Sequence, residues 1–155
     1  SGLEVAAKVI QFFSKKEISL TLRLGPEMRH YSDLLSKNSV SVILPRQVTF
    51  TVNREEFAPA SFLTRAGINV AFQSQASDGA RGLPQQAMEA VERGMGADAA
   101  LYALTRGAAE ALGVQDRVGS IEKGLDADLL IWHGHPFEAG SRLQRVFIDG
   151  KEVPR

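Results

Sequence analysis

Apolar residues recur at helical spacing over residues 3–14, where Leu3, Ala6, Val9, Ile10 and Phe13 share one side and Glu4, Lys8 and Gln11 lie elsewhere. Residues 18–24 switch to a period of two and predict a strand, broken by Gly25 and Pro26. Pro26 suits a first helical turn, and 28–37 predicts a short helix with Leu34 and Leu35 inward. A second strand covers 40–44 and stops at Pro45. The next stretch, 46–56, is polar, and the alternation over 48–52 fits either a strand or a loop. A helix over 57–66, ended by Gly67, leads into a third strand at 68–72. Strand, helix, strand, helix, strand at this spacing predicts parallel βαβ units with helices covering the sheet.

From Leu83 the pattern changes. Helices are expected over 84–93 and 97–112, ended by Gly94 and Gly113, with Ala100, Leu101, Leu104, Ala108 and Leu112 assigned to the core. Short strands at 118–121, 128–132 and 143–148 then follow one another without helices, and Asp149-Gly150 is a two-residue hairpin signal into 151–153. That order predicts an antiparallel unit distinct from the βαβ part. The βαβ part fits a small doubly wound sheet complete in itself, or part of a barrel; pattern alone does not separate the two. With 155 residues the chain is too short for a whole eight-fold β/α barrel, which takes ~250.

Composition narrows the function classes. Lys plus Arg equals Asp plus Glu at 18 each, which leaves no net field to draw nucleic acid or an anionic membrane. The absence of cysteine excludes disulfides, thiolate metal sites and a cysteine nucleophile. No apolar run approaches the ~20 residues of a membrane span, and residues 3–13 lack the basic start and cleavage site of a signal peptide. The expectation is a soluble, cytoplasmic protein.

Three motifs of the last third, VGSIEKG at 118–124, DADLL at 126–130 and VFIDGK at 146–151, closely resemble the segment by which metal-dependent amidohydrolases return from their barrel to a small β-sandwich, in particular the imidazolonepropionase-like branch. INVAFQSQ at 68–75 with GARGLP at 79–84 similarly resembles the eighth barrel strand and the loop after it. The likeness is specific over roughly 63–153, and over 3–56 rests on position and pattern. It implies an α/β architecture: a partial (β/α) barrel of later βα units with closing helices over 3–112, then a small antiparallel β unit of the sandwich domain over 113–155. It also implies metal-dependent hydrolysis of C–N bonds in amides or cyclic amides, with zinc as the family's metal, lowering the pKa of a bound water and polarising the scissile carbonyl.

The resemblance further implies a ligand set: a His-x-His pair after the first strand, histidines after the fifth and sixth, and a proton-shuttling aspartate after the eighth. The first strand has no counterpart here, and at the eighth-strand position Ser74 is followed by Gln75, an amide that cannot take a proton near neutral pH. Asp78 is the candidate catalytic carboxylate; its alternative is a turn residue before Gly79. Ser74, Gln75, Gly79, Arg81 and Gly82 are the candidate ligand-binding residues, the loop and Arg81 being suited to an anion. Ser74 and Ser77 lack an evident base and a nucleophile elbow. Arg23, Arg46 and Gln73 stand at strand ends that could line the same pocket.

His133-Gly134-His135 is a literal His-x-His, but it follows a sandwich strand and precedes Pro136, so both are expected as solvated loop histidines; His30 is expected on a helix surface. No cofactor is therefore expected in this chain. A half barrel exposes sheet edges that soluble proteins cover, so the expected partner is a second copy in a dimer, or a complementary N-terminal half chain. The alternative is a non-catalytic scaffold or small-anion-binding module that self-associates.

Overall fold

The computed structural model describes residues 2–16, 19–23, 26–74 and 79–154. Helix α1 (Gly2–Lys15) comes first. A parallel three-stranded sheet follows, built from β1 (Thr21–Arg23), β2 (Ser41–Leu44) and β5 (Val70–Phe72) in that spatial order. The registers pair Leu22 with Val42 and Val42 with Val70. The crossovers carry α2 (Ser32–Lys37) and α3 (Pro59–Arg65), and α4 (Leu83–Glu92), α5 (Ala97–Leu104) and α6 (Arg106–Leu112) follow the last strand. The chain is thus mixed α/β with a parallel sheet and helices. One core joins Ile10, Leu35, Val42, Leu44, Leu63 and Val70 to alanines of α4 and α5. Those alanines, Ala87, Ala90, Ala100 and Ala103, let helix backbones approach closely while costing no side-chain entropy.

The ambiguous stretch before α3 is a β-hairpin. Strand β3 (Phe50–Val52) pairs antiparallel with β4 (Glu55–Phe57), and Asn53 and Arg54 both take positive φ, the two-residue turn that matches strand twist. Phe57 therefore belongs to a strand, and the helix starts at Pro59, whose missing N–H costs nothing in a first turn. The short helix expected over 28–37 is a 3-10 turn, Pro26–Tyr31, followed by α2.

Four further expectations fail. The single helix over 97–112 is two, broken at Thr105, whose hydroxyl donates to the Leu101 carbonyl at 2.8 Å while its backbone leaves helical geometry. The assigned stripe does not face inward throughout: Ala100 is buried, but Leu101, before the break, is exposed, and Leu112, after it, is 70% exposed. Val9 of α1 is likewise exposed, with Ile10 buried in its place. Finally, 118–121 is a series of turns and bends, not a strand. It is held along α6, where Gly119 (φ +99) leaves no room for a side chain: a Cβ would lie 2.8 Å from Ala109 Cβ and 3.0 Å from Arg106 Cα.

The antiparallel unit is as expected in kind. Strands β6 (Leu129–His133), β7 (Arg142–Ile148) and β8 (Lys151–Glu152) form a sheet in that order, with a bulge between Ile131 and Trp132. Asp149 and Gly150 make the positive-φ turn. The two acids at the strand entry are structural. Asp126 pairs with Arg117 at 2.7 Å, and an Asp128 carboxylate oxygen accepts the Asp149 N–H at 2.9 Å, tying strand entry to hairpin turn.

Candidate functional site

In parallel α/β sheets ligands bind beyond the carboxyl ends of the strands, where connecting loops meet. Topology brings Arg23 at the end of β1, Arg46 just past β2, and Gln73 and Ser74 just past β5 to that end of the sheet. Buried Gln86 of α4 donates its amide to the Pro45 carbonyl at 2.7 Å, fixing α4 against the end of β2. Gln73 Oε1 is buried and has no hydrogen-bond partner among the described residues.

The loop after β5 is described on its two flanks. Ser74 is exposed; Gln75, Ser77 and Asp78 lie outside the described residues. Gly79 (φ 55, ψ −143) takes a backbone conformation suited to glycine and opens a 3-10 turn, Ala80–Gly82, that runs directly into α4. Arg81 on that turn is exposed and has no hydrogen-bond or ion-pair partner among the described residues. Pro84 removes one N–H from the first turn of α4, and the Leu83 amide is used on Ala80 O, which trims the amides available to an anion.

The histidines do not converge. His30 is exposed on the 3-10 turn after β1, with Nε2 accepting from Arg29 Nε at 3.4 Å. His133 is exposed but is the last residue of β6, opposite Arg142, not in a loop. His135 is half-buried, its Nδ1 accepting the Phe137 N–H at 3.2 Å and its ring edge-on to Phe137. Among the described residues no three His, Cys, Asp or Glu side chains stand close enough to hold a metal ion. The groups at the sheet's carboxyl end that are described, an amide, a hydroxyl and guanidiniums, are poor zinc donors. These residues do not fit a zinc ion by themselves.

A polar cluster that the sequence reading did not single out lies on α5 and α6. Glu110 accepts from Arg106 Nε at 3.0 Å and from the Tyr102 hydroxyl at 2.7 Å. Burial, that hydrogen bond and the Glu110 charge raise the Tyr102 phenol above its ordinary pKa; the Glu110 hydrogen bond raises the Arg106 guanidinium. Arg106 also reaches the Gln115 carbonyl at 3.1 Å and Ser120 Oγ at 3.3 Å, clamping the turns that lead to the antiparallel sheet. The four-residue spacing of Arg106 and Glu110 was the available signal.

With that geometry in hand, similarity to known proteins decides the family. The amidohydrolase family profile matches residues 9–153. The chain belongs to the amidohydrolase family. Imidazolonepropionase of Xanthomonas oryzae pv. oryzae (strain PXO99A) is 35% identical over 144 residues, which is 84% of this chain and 36% of that protein. The enzyme of the same name from Xanthomonas euvesicatoria pv. vesicatoria is 33% identical over 145 residues, again 36% of its length. The amidohydrolase chain thus spans little more than a third of these relatives. Among solved structures, an amidohydrolase from Thermotoga maritima MSB8 superposes with a TM-score of 0.77 at 31% identity, over 95% of this chain and 40% of that one. An adenosine deaminase from Xanthomonas campestris, solved with zinc bound, gives 0.61 at 25% identity, over 86% and 36%.

Proposed function

We propose that this chain is the later arc of an amidohydrolase (β/α) barrel, residues 3–112, with returning strands of its sandwich domain, residues 113–155. It serves metal-dependent hydrolysis of C–N bonds in amides or cyclic amides, and imidazolonepropionate is the first substrate to test, given the relatives' name. The observation that carries the reading is a three-stranded parallel sheet whose edge strands, β1 and β5, each pair on one side only among the described residues, in a chain similar to 36% of whole enzymes. In this reading the metal ligands come chiefly from another polypeptide, a complementary N-terminal half, and the chain alone is inactive. Asp78 is the proton-transfer candidate from this side, with Ser74, Gln75, Gly79, Arg81 and Gly82 lining the substrate end. Without the complement the chain self-associates.

Metal content tests this directly. The purified chain alone should hold less than stoichiometric zinc and hydrolyse no amide in a panel that includes imidazolonepropionate. Addition of a polypeptide carrying a His-x-His strand should restore both, and Asp78→Asn should then abolish turnover. One zinc per chain in the lone protein, lost in Asp78→Asn, would overturn the division of labour. Arg81 at the entry to α4, without a partner among the described residues, favours one second reading, a non-catalytic module that binds a small anion. Thermal stabilisation by phosphate that Arg81→Ala removes would support it.

A further inference from the structure

In the loop that joins β6 to β7, Gly134, Glu138, Ala139 and Gly140 are exposed, whereas His135, Pro136 and Phe137 are each half-buried. Phe137 packs against the core of the parallel unit, and among the described residues it is the one side chain of the antiparallel unit that does. A turn sets its position. The His135 carbonyl accepts the Glu138 N–H at 2.9 Å, with Pro136 second in the turn, where its fixed φ fits. The first position of such a turn ordinarily takes Asp, Asn or Ser, whose side-chain oxygen accepts the N–H two residues on. Here His135 fills that role. Its Nδ1 accepts the Phe137 N–H at 3.2 Å, and its ring stands edge-on to the Phe137 ring with 5.3 Å between centroids.

An imidazole in place of an oxygen changes what the turn can withstand. A backbone N–H only donates, so this bond exists only while Nδ1 carries a lone pair. Histidine is the side chain whose ordinary titration falls within about pH 5 to 8, and its cation has donors at both nitrogens. Protonation therefore sets two donors against each other and leaves the Phe137 N–H without its acceptor. The ring contact is kept in either charge state, since an aromatic face also attracts a cation, so the N–H bond is what the proton decides. The charged side chains nearest along this loop are His133, Glu138 and Arg142; none of them, and none from another element among the described residues, forms an ion pair with the His135 ring. We propose that His135 and Phe137 form a pH-sensitive latch, which seats the antiparallel unit on the parallel unit while the imidazole is neutral and releases it on protonation. The Arg106 ties to the Gln115 carbonyl and Ser120 include no histidine, so they persist when the latch opens. The device stands whether or not the chain joins an active hydrolase.

The test is an NMR titration of the full 155-residue chain from about pH 8 to pH 5, reading the His135 imidazole and the amide and ring of Phe137. As the imidazole protonates, exchange protection of the Phe137 amide, corrected for the pH dependence of the exchange chemistry, should fall about tenfold. Relaxation of the Phe137 ring protons by a soluble gadolinium chelate should rise with the same midpoint. His135→Asn restores an oxygen acceptor that does not titrate in this range, and should keep amide and ring protected at both ends. His135→Ala should leave both unprotected throughout; if that variant unfolds, His135→Asn decides. His133→Asn, at the exposed end of β6, should leave the response unchanged. Full protection of Phe137 with His135 protonated, a pH response that survives in His135→Asn, or one that disappears in His133→Asn would overturn the latch.

Discussion

The parallel and antiparallel sheets of this chain are held by different means. Every buried hydrophobic side chain among the described residues precedes residue 110, in or around the parallel sheet. The antiparallel sheet buries none fully, although register and alternation set Leu130, Trp132, Leu143, Val146 and Ile148 on one side. Leu130 is 60% and Ile148 53% exposed. That sheet rests instead on ladder hydrogen bonds, the Asp128 tie to the hairpin turn, and an Arg145–Glu152 pair with both guanidinium contacts under 3 Å. A three-stranded sheet of this kind needs a hydrophobic face covered for independent stability. The parallel unit carries its own core; the apolar side of the antiparallel unit is left partly exposed among the described residues.

Mutations sharpen that contrast. Leu63 is wholly buried, so Leu63→Ala should cost about 2–5 kcal/mol in urea unfolding. Leu130→Ala, in the exposed face, should stay within about 0.5 kcal/mol in the lone chain, and a large cost there would mean the face is already covered. Next in size is Gly119→Ala, which meets α6 and a positive φ together and should cost about 1–3 kcal/mol. Hydrogen exchange should show the loss first in 114–122 and in β6, leaving β2 protected.

Two pH effects are smaller. The Tyr102 phenol is raised above 10.0 in the folded chain, so its stabilising contribution is full below that pH and is lost as pH climbs through the folded value. Tyrosinate absorbance should therefore appear late in an alkaline titration, and Tyr102→Phe should flatten the alkaline fall in stability. Glu152 is lowered below 4.5 by its hydrogen bond to Arg145, so its contribution is present above 4.5 and lost as pH falls through the lower folded value. In Arg145→Gln the acid limb should steepen no further at Glu152, as read by the carbon-13 carboxyl shift. Since both groups are exposed, this is the weakest effect expected.

Legibility followed the same division. Period-two runs and glycine helix ends placed all three parallel strands, because local pattern and burial agree there. Gly67, Gly94 and Gly113 each take the left-handed conformation that closes a helix. Asp149-Gly150 was legible for a like reason: the turn's backbone demand selects the residues. The break at Thr105 was not, since a single hydroxyl competing for the Leu101 carbonyl leaves no periodic trace. The run 118–121 looks like a strand in one dimension, but Gly119 lets it pack on α6, a contact sequence spacing cannot express. At the site, the chemistry of Ser74 and Arg81 could be read from residue type. The latch at His135 could not, because its bond joins neighbours within a loop whose burial no local pattern announces.

Light scattering on the purified chain across micromolar concentrations bears most directly on the proposed partial barrel. That proposal predicts a particle of twice the chain mass, replaced by a one-to-one complex when a complementary half is supplied. A single-chain mass that persists at the highest concentration, indifferent to any complement, would contradict it.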